Sequence, residues 1–126
     1  MLANQPMNSV TTDSAPAIDT AMLAELQDLL GTDFAPMMQG FLADLQQGLD
    51  GLRLAKADRD NTTGYDIAHR LKGASLNLGA NALAEQCHTM QTLCQSGYIA
   101  ESQATLAAIA AQAKRVQAQL LAMLPD

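Results

Sequence analysis

Apolar side chains recur along most of the chain at intervals of three and four residues, which is the period of an amphipathic helix. The longest stripe keeps this spacing for about five turns and comprises Phe34, Met37, Met38, Phe41, Leu45, Leu49 and Leu52. The last stripe comprises Leu106, Ile109, Ala113, Val116 and Leu120. β-Branched and aromatic residues, which favour strands, are scarce, so the sequence predicts a helical protein.

Capping and turn residues divide this pattern into five helices. The predicted limits are Asp19 to Gly31, Thr32 or Asp33 to about residue 57, Asn61 or Thr62 to Gly79, Asn81 to "SGY" at 96–98, and about Glu101 to Met123. Four long helices with short connections predict an all-α, up-down-up-down four-helix bundle with a short additional N-terminal helix. Residues 1–17 lack apolar period and are predicted to be a disordered tail or linker, with 18–126 forming the domain.

Glycines interrupt the second helix at Gly40, Gly48 and Gly51. Each costs a helix interior up to about 1 kcal/mol relative to alanine. A close approach of another helix would account for them.

Composition supports the helical prediction and limits the classes of molecule that the protein is expected to bind. The 126 residues are 48% hydrophobic but only 3% aromatic, and the formal net charge is −6. An acidic chain with scattered Lys and Arg is not expected to bind nucleic acid or an anionic membrane. The sequence has neither a membrane-length apolar run nor signal-peptide features, and its two cysteines are typical of a reduced pair, so a cytoplasmic location is predicted.

The third predicted helix places a histidine on its outer face. On a wheel of about 100° per residue, the apolar stripe Ile67, Leu71, Ala74 and Leu78 lies opposite His69. The face around His69 carries, among others, Tyr65, Lys72, Gly73 and Leu76. His69 is therefore predicted to face solvent in the middle of a helix.

This face has the parts needed for phosphoryl transfer through histidine. A neutral imidazole offers one ring nitrogen as a nucleophile at cellular pH. Lys72, one turn on, could offset the charge of a phosphoryl group. Gly73 removes a side chain beside the imidazole and gives a second protein room to approach, while Leu76 and Tyr65 are candidate docking residues.

The stretch "AHRLKGASLNLG" followed by "LAEQCHTMQ" resembles the signature of histidine-containing phosphotransfer (HPt) domains. That signature is H-x-L-K-G, a glycine ten residues after the histidine, and L-x-x-x-C-x-x-[LM]-[EQ]. The matching positions are His69, Leu71, Lys72, Gly73, Gly79, Leu83, Cys87, Met90 and Gln91. The likeness extends over about residues 18–124.

The resemblance implies that His69 is phosphorylated on the ring nitrogen farther from the backbone, with Lys72 assisting through its charge. Gln91 takes the position that often hydrogen-bonds the other ring nitrogen, although many family members carry Glu there. The family is a phosphocarrier rather than an enzyme in the usual sense. It passes the phosphoryl group between receiver-domain aspartates of a hybrid sensor kinase and a response regulator, and the receiver supplies the metal. A monomer without its own cofactor or metal is expected.

Other interpretations of these residues remain open. Cys87 and Cys94 lie on an apolar stripe and are expected to be core residues, and His88 is expected to face solvent without zinc-ligand spacing. A non-catalytic helical adaptor that binds a partner through the His69 face is the main alternative. A metal or acid–base enzyme using His69 and His88 is less favoured, because no acidic cluster joins them. The opening methionine suggests a free-standing protein, and a piece of a larger kinase is the other interpretation.

Overall fold

The computed structural model describes residues 16–124, which fold into five α-helices. They are α1 (Thr20–Leu30), α2 (Phe34–Ala57), α3 (Asn61–Leu78), α4 (Asn81–Gln95) and α5 (Gln103–Met123). Short 3₁₀ turns at Gly31–Asp33 and Ile99–Glu101 precede α2 and α5. The all-helical prediction is confirmed. Residues 1–15 of the predicted tail and the last two residues, 125–126, lie outside the described part.

The four long helices pack as a bundle in which each helix contacts the next, and α5 returns to contact α2. The predicted four-helix bundle with a short additional N-terminal helix is therefore confirmed. The segment before α1 is fastened to α5, because the Gln119 side chain accepts from the Ile18 amide at 2.9 Å and donates to the Ile18 carbonyl at 3.0 Å. The Asp19 amide also donates to the Gly79 carbonyl, which holds the start of α1 at the end of α3.

Helix α3 begins one residue earlier than predicted. Asp60, rather than Asn61 or Thr62, caps it: the Asp60 carboxylate accepts from the Thr63 amide at 3.0 Å and from the Thr63 hydroxyl at 2.6 Å. The hydroxyl and then the amide lower the pKa of Asp60. The Asn61 side chain instead accepts from the Ile99 amide at 2.9 Å. At the other end Gly79 adopts a left-handed conformation, φ 83°, and ends the helix as predicted.

Two of the three glycines in α2 allow close packing against α3. A Cβ added at Gly48 would lie 2.8 Å from both Leu71 methyl carbons, and one added at Gly51 would lie 2.8 Å from Ile67 Cδ1. These separations are too short for a carbon–carbon contact. An added Cβ at Gly40 would meet nothing within 4 Å, so close packing accounts for Gly48 and Gly51 only.

The buried arc of α3 is wider than the predicted stripe. Ile67, Leu71 and Leu78 are buried as expected, whereas Ala74 is only half-buried and Ser75 is fully buried. The prediction for Ala74 was wrong because α3 packs against two neighbours, α2 and α4, and the second contact extends the buried arc away from Ala74. Within the described part of the chain, the Ser75 hydroxyl is buried without a hydrogen-bond partner.

The two cysteines are core residues, as expected. Cys87 is fully buried and Cys94 is 3% exposed, and both are free thiols. Burial raises the pKa of Cys87 to about 12 and also raises the pKa of Cys94. Both thiols therefore remain protonated at neutral pH.

Candidate phosphoryl-acceptor site

His69 lies in the middle of α3 with its side chain exposed, as the helical wheel predicts. Gly73 follows on the same side, and a Cβ added there would meet nothing within 4 Å. Leu76, one further turn along, is 51% exposed. A second protein can thus approach the imidazole over a helix surface that is clear of side chains at Gly73.

Gln91 connects α4 to this imidazole. It is one of the few buried polar side chains, 9% exposed, and its carbonyl oxygen Oε1 lies 3.4 Å from His69 Nδ1. Its amide nitrogen Nε2 donates to the Tyr65 hydroxyl at 3.2 Å. The sequence resemblance placed Gln91 near His69, and the structure brings the two side chains together.

Tyr65 completes the arrangement from the preceding turn of α3. Its ring stacks on the His69 imidazole, with the ring centroids 6.1 Å apart and the planes 5° from parallel. Tyr65 is half-buried, so one part of it faces the bundle and another part remains accessible. The wheel placed Tyr65 beside His69 but gave no indication of the hydrogen bond to Gln91.

The contact with Gln91 suits one tautomer of the imidazole. A carbonyl oxygen only accepts, so Nδ1 donates to it when the proton is on Nδ1. The lone pair of a neutral imidazole then resides on Nε2, the nitrogen farther from the backbone. In that tautomer Nε2 carries the free lone pair on the exposed side of α3, and Gln91 contacts the ring from the buried side.

A shallow groove of about 340 Å³ runs between α3 and α4 beside this site. It is lined by Lys72, Leu76, Asn81, Ala84, Glu85 and His88. Lys72 is half-buried along this groove, and His88 is exposed, as predicted from the sequence. The structure therefore places His88 next to the Lys72 side of the site, a proximity that sequence spacing could not show because the two residues belong to different helices.

Within residues 16–124, no group of three or more His, Cys, Asp or Glu side chains is arranged to hold a metal ion. None of the described helices is long and apolar enough to cross a membrane. The polar groups that the structure brings together around the imidazole are the Gln91 amide and the Tyr65 hydroxyl.

Comparisons with known proteins identify the family of this chain. Residues 33–119 match the family model of the Hpt domain, and the chain therefore belongs to the Hpt domain family. The fold is similar to the crystal structure of histidine-containing phosphotransfer protein B (HptB) from Pseudomonas aeruginosa PAO1. That similarity has a TM-score of 0.81 and 26% sequence identity, and it covers 86% of this chain and 95% of the other. A search of curated protein sequences gave no match. The family assigns the chain to phosphotransfer in two-component signalling.

Proposed function

We propose that this protein is a phosphorelay intermediate that accepts a phosphoryl group on His69 and passes it on. The donor is a receiver-domain aspartate of a hybrid sensor kinase, and the acceptor is the receiver domain of a response regulator. The observation that carries the proposal is the pairing of an exposed imidazole with a buried glutamine carbonyl at its Nδ1. This pairing supports Nε2 as the phosphorylated atom.

The proposed transfer is a simple displacement at phosphorus. The Nε2 lone pair of His69 attacks the phosphorus of the aspartyl phosphate, the N–P bond forms, and the P–O bond to the aspartate breaks. The aspartate leaves as a carboxylate with the bonding electron pair. The proton stays on Nδ1, and the Gln91 carbonyl accepts a hydrogen bond from this N–H group. Transfer to the second receiver reverses these steps onto a new aspartate.

Neighbouring residues support this reaction in distinct ways. Lys72 is half-buried beside the groove next to His69, where its positive charge offsets the negative charge of the phosphoryl oxygens. Gly73 leaves room for the receiver, and the exposed Leu76 provides apolar docking surface. The metal and most of the catalysis belong to the receiver, so this chain acts as a phosphocarrier without an activity of its own.

The direct test is phosphoryl transfer from a receiver domain charged with acetyl phosphate, comparing wild type with His69→Gln. We expect an acid-labile, base-stable adduct on wild type and none on the variant, with equal far-UV circular dichroism. His88→Gln is a matched control, because His88 is the only other histidine in the sequence and is also exposed on a helix. That control should accept label normally.

Label on His69→Gln would refute the assignment of His69. Binding of a receiver without any adduct on wild type would instead favour the adaptor interpretation, in which the same surface docks a partner without chemistry.

A further inference from the structure

The groove between α3 and α4 reaches the end of the bundle where the chain enters it. Asn81, which lines this groove, also borders a second hollow of about 290 Å³ whose other walls include Pro16 and Gly79. The backbone is held there, because the Asp19 amide donates to the Gly79 carbonyl at 3.1 Å. The fifteen residues that precede Pro16 are therefore attached at the end of the groove that runs beside His69.

Those fifteen residues are long enough to follow the groove past the imidazole. Lys72 and His69 lie seven and ten residues before Gly79, which corresponds to about 10 and 15 Å along a helix axis. An extended chain advances about 3.3 Å per residue, so about three residues cover the distance to Lys72 and about five cover the distance to His69. Counted back from Pro16, the third residue is Asp13.

The charges of the segment and the groove are complementary at this point. Asp13 is the only charged side chain in residues 1–15. Lys72 is half-buried along the groove, and no carboxylate within residues 16–124 forms an ion pair with its ammonium, although Glu85 lines the same groove. A cation that has lost part of its hydration gains from a carboxylate brought to it. An extended segment brings Asp13 level with this ammonium.

We propose that residues 1–15 bind along the groove between α3 and α4 as an autoinhibitory segment, with the Asp13 carboxylate paired to the Lys72 ammonium. The bound segment covers the exposed Leu76 and the approach to His69, so a receiver must displace it before transfer. The effect on transfer rests on the proposed function of His69, whereas the binding of the segment does not. The segment predicted from the sequence to be a tail or linker thereby regulates access to the acceptor.

The first test locates the segment in the full chain. A nitroxide attached through Thr11→Cys broadens the signals of nearby amides, and labelling is selective because Cys87 and Cys94 are buried thiols that remain protonated at neutral pH. We expect broadening of the amides around Lys72. Addition of Asp13→Lys should abolish it, because two positive charges would then face each other.

The second test measures transfer from a charged receiver domain. Asp13→Asn should lower the KM for the receiver about two- to fivefold, the range for one partly exposed ion pair, and Asp13→Lys should lower it at least as far. The maximal rate should stay within about twofold of wild type, because the segment competes with the receiver and leaves His69 unchanged.

Asp58→Asn and Asp58→Lys are the matched controls. Each makes the same change in net charge at an exposed carboxylate near the other end of α3, away from the groove. The KM of both controls should equal that of wild type. An equal fall of KM in the controls would show a general effect of charge and would overturn the specific contact of Asp13.

The remaining outcomes separate the segment from the relay. Equal broadening with and without Asp13→Lys, or a KM that does not respond to Asp13, would overturn the autoinhibitory segment and leave the relay intact. Broadening that passes from a nitroxide-bearing chain to a ¹⁵N-labelled chain in a mixture would show that the segment of a second copy occupies the groove, and would overturn the contact within one chain. A wild type that accepts no phosphoryl group, while its broadening depends on Asp13, would refute the relay and support the binding of the segment.

Discussion

Gly64 and Gly73 occupy opposite faces of α3, nine residues or about 180° apart. An added Cβ at Gly64 would collide with the Ile99 side chain and lie 2.8 Å from Cys94 Sγ, whereas one at Gly73 would meet nothing within 4 Å. Both positions therefore carry the same residue for different reasons. Gly64 allows α3 to pack closely against α4 and the Ile99 turn, whereas Gly73 lies on the face of His69 in open space.

Replacing each glycine with valine separates these two reasons, and the substitution at Gly64 should have the largest effect on stability. Gly64→Val forces a branched side chain against Ile99 and Cys94, both of which are buried. We expect the free energy of unfolding to fall by about 3 kcal/mol, at the upper end of the range for overpacked cores. Chemical denaturation monitored by circular dichroism measures this loss.

Gly73→Val is the matched control, since it makes the same change in the interior of the same helix. Only the helix propensity of the residue changes there, so the free energy of unfolding should stay within about 0.5 kcal/mol of wild type. Similar losses of stability in both variants would show that the two faces of α3 do not differ in packing, contrary to the contrast drawn between Gly64 and Gly73.

The same Gly73→Val protein tests the open face by function. Its valine methyl groups would lie beside the imidazole and hinder the receiver from aligning its aspartyl phosphate with Nε2 of His69. Transfer from a charged receiver should slow by about tenfold or more, as expected when reacting groups are displaced by an ångström. The rate of phosphorylation by phosphoramidate, a small donor that needs no docking surface, should change by less than about twofold. If both rates fell together, the side chain would be disturbing His69 itself, and the glycine would not serve access.

The sequence predicted these faces well because helical periodicity constrains them directly. Positions on a single helix are enough to predict that His69 and Leu76 are exposed and that Gly79 ends the helix. The start of α3 was missed by one residue because Asp60, Asn61 and Thr62 can all serve as caps, and only the tertiary contact of Asn61 with Ile99 selects Asp60. The misplaced Ala74 has the same origin, since one helix does not reveal how many neighbours it packs against.

The site was predicted in part for a related reason. The resemblance to a known family named His69, Lys72 and Gln91, and the wheel grouped Tyr65 with His69. The bond between Gln91 and Tyr65 depends on how far α4 is shifted and rotated relative to α3, which no pattern along the chain encodes. The four-residue spacing of Tyr65 and His69 was the one available signal, because residues at that spacing adjoin on a helix.

The smallest expected effect concerns the buried face of α4, where Cys87 and Cys94 point into the core of the bundle. Burial raises the pKa of Cys87 from 9.0 to about 12, so above pH 9 the unfolded chain loses this proton while the folded chain keeps it. Ionisation thus favours the unfolded state, and stability falls as pH rises from 9 towards 12. At pH 9.5 the contribution of Cys87 is about 1 kcal/mol.

Denaturation curves at pH 7.5 and 9.5 measure this loss, and Cys87→Ala serves as the control. Alanine leaves a small cavity that lowers stability equally at both pH values, so only the pH-dependent part reports the thiol. Wild type should lose about 1 kcal/mol more than Cys87→Ala between the two conditions. Equal losses would mean that water reaches Cys87 in the folded protein. The interior of the bundle beside α4 would then be less tightly packed than the contacts of Gly64 indicate.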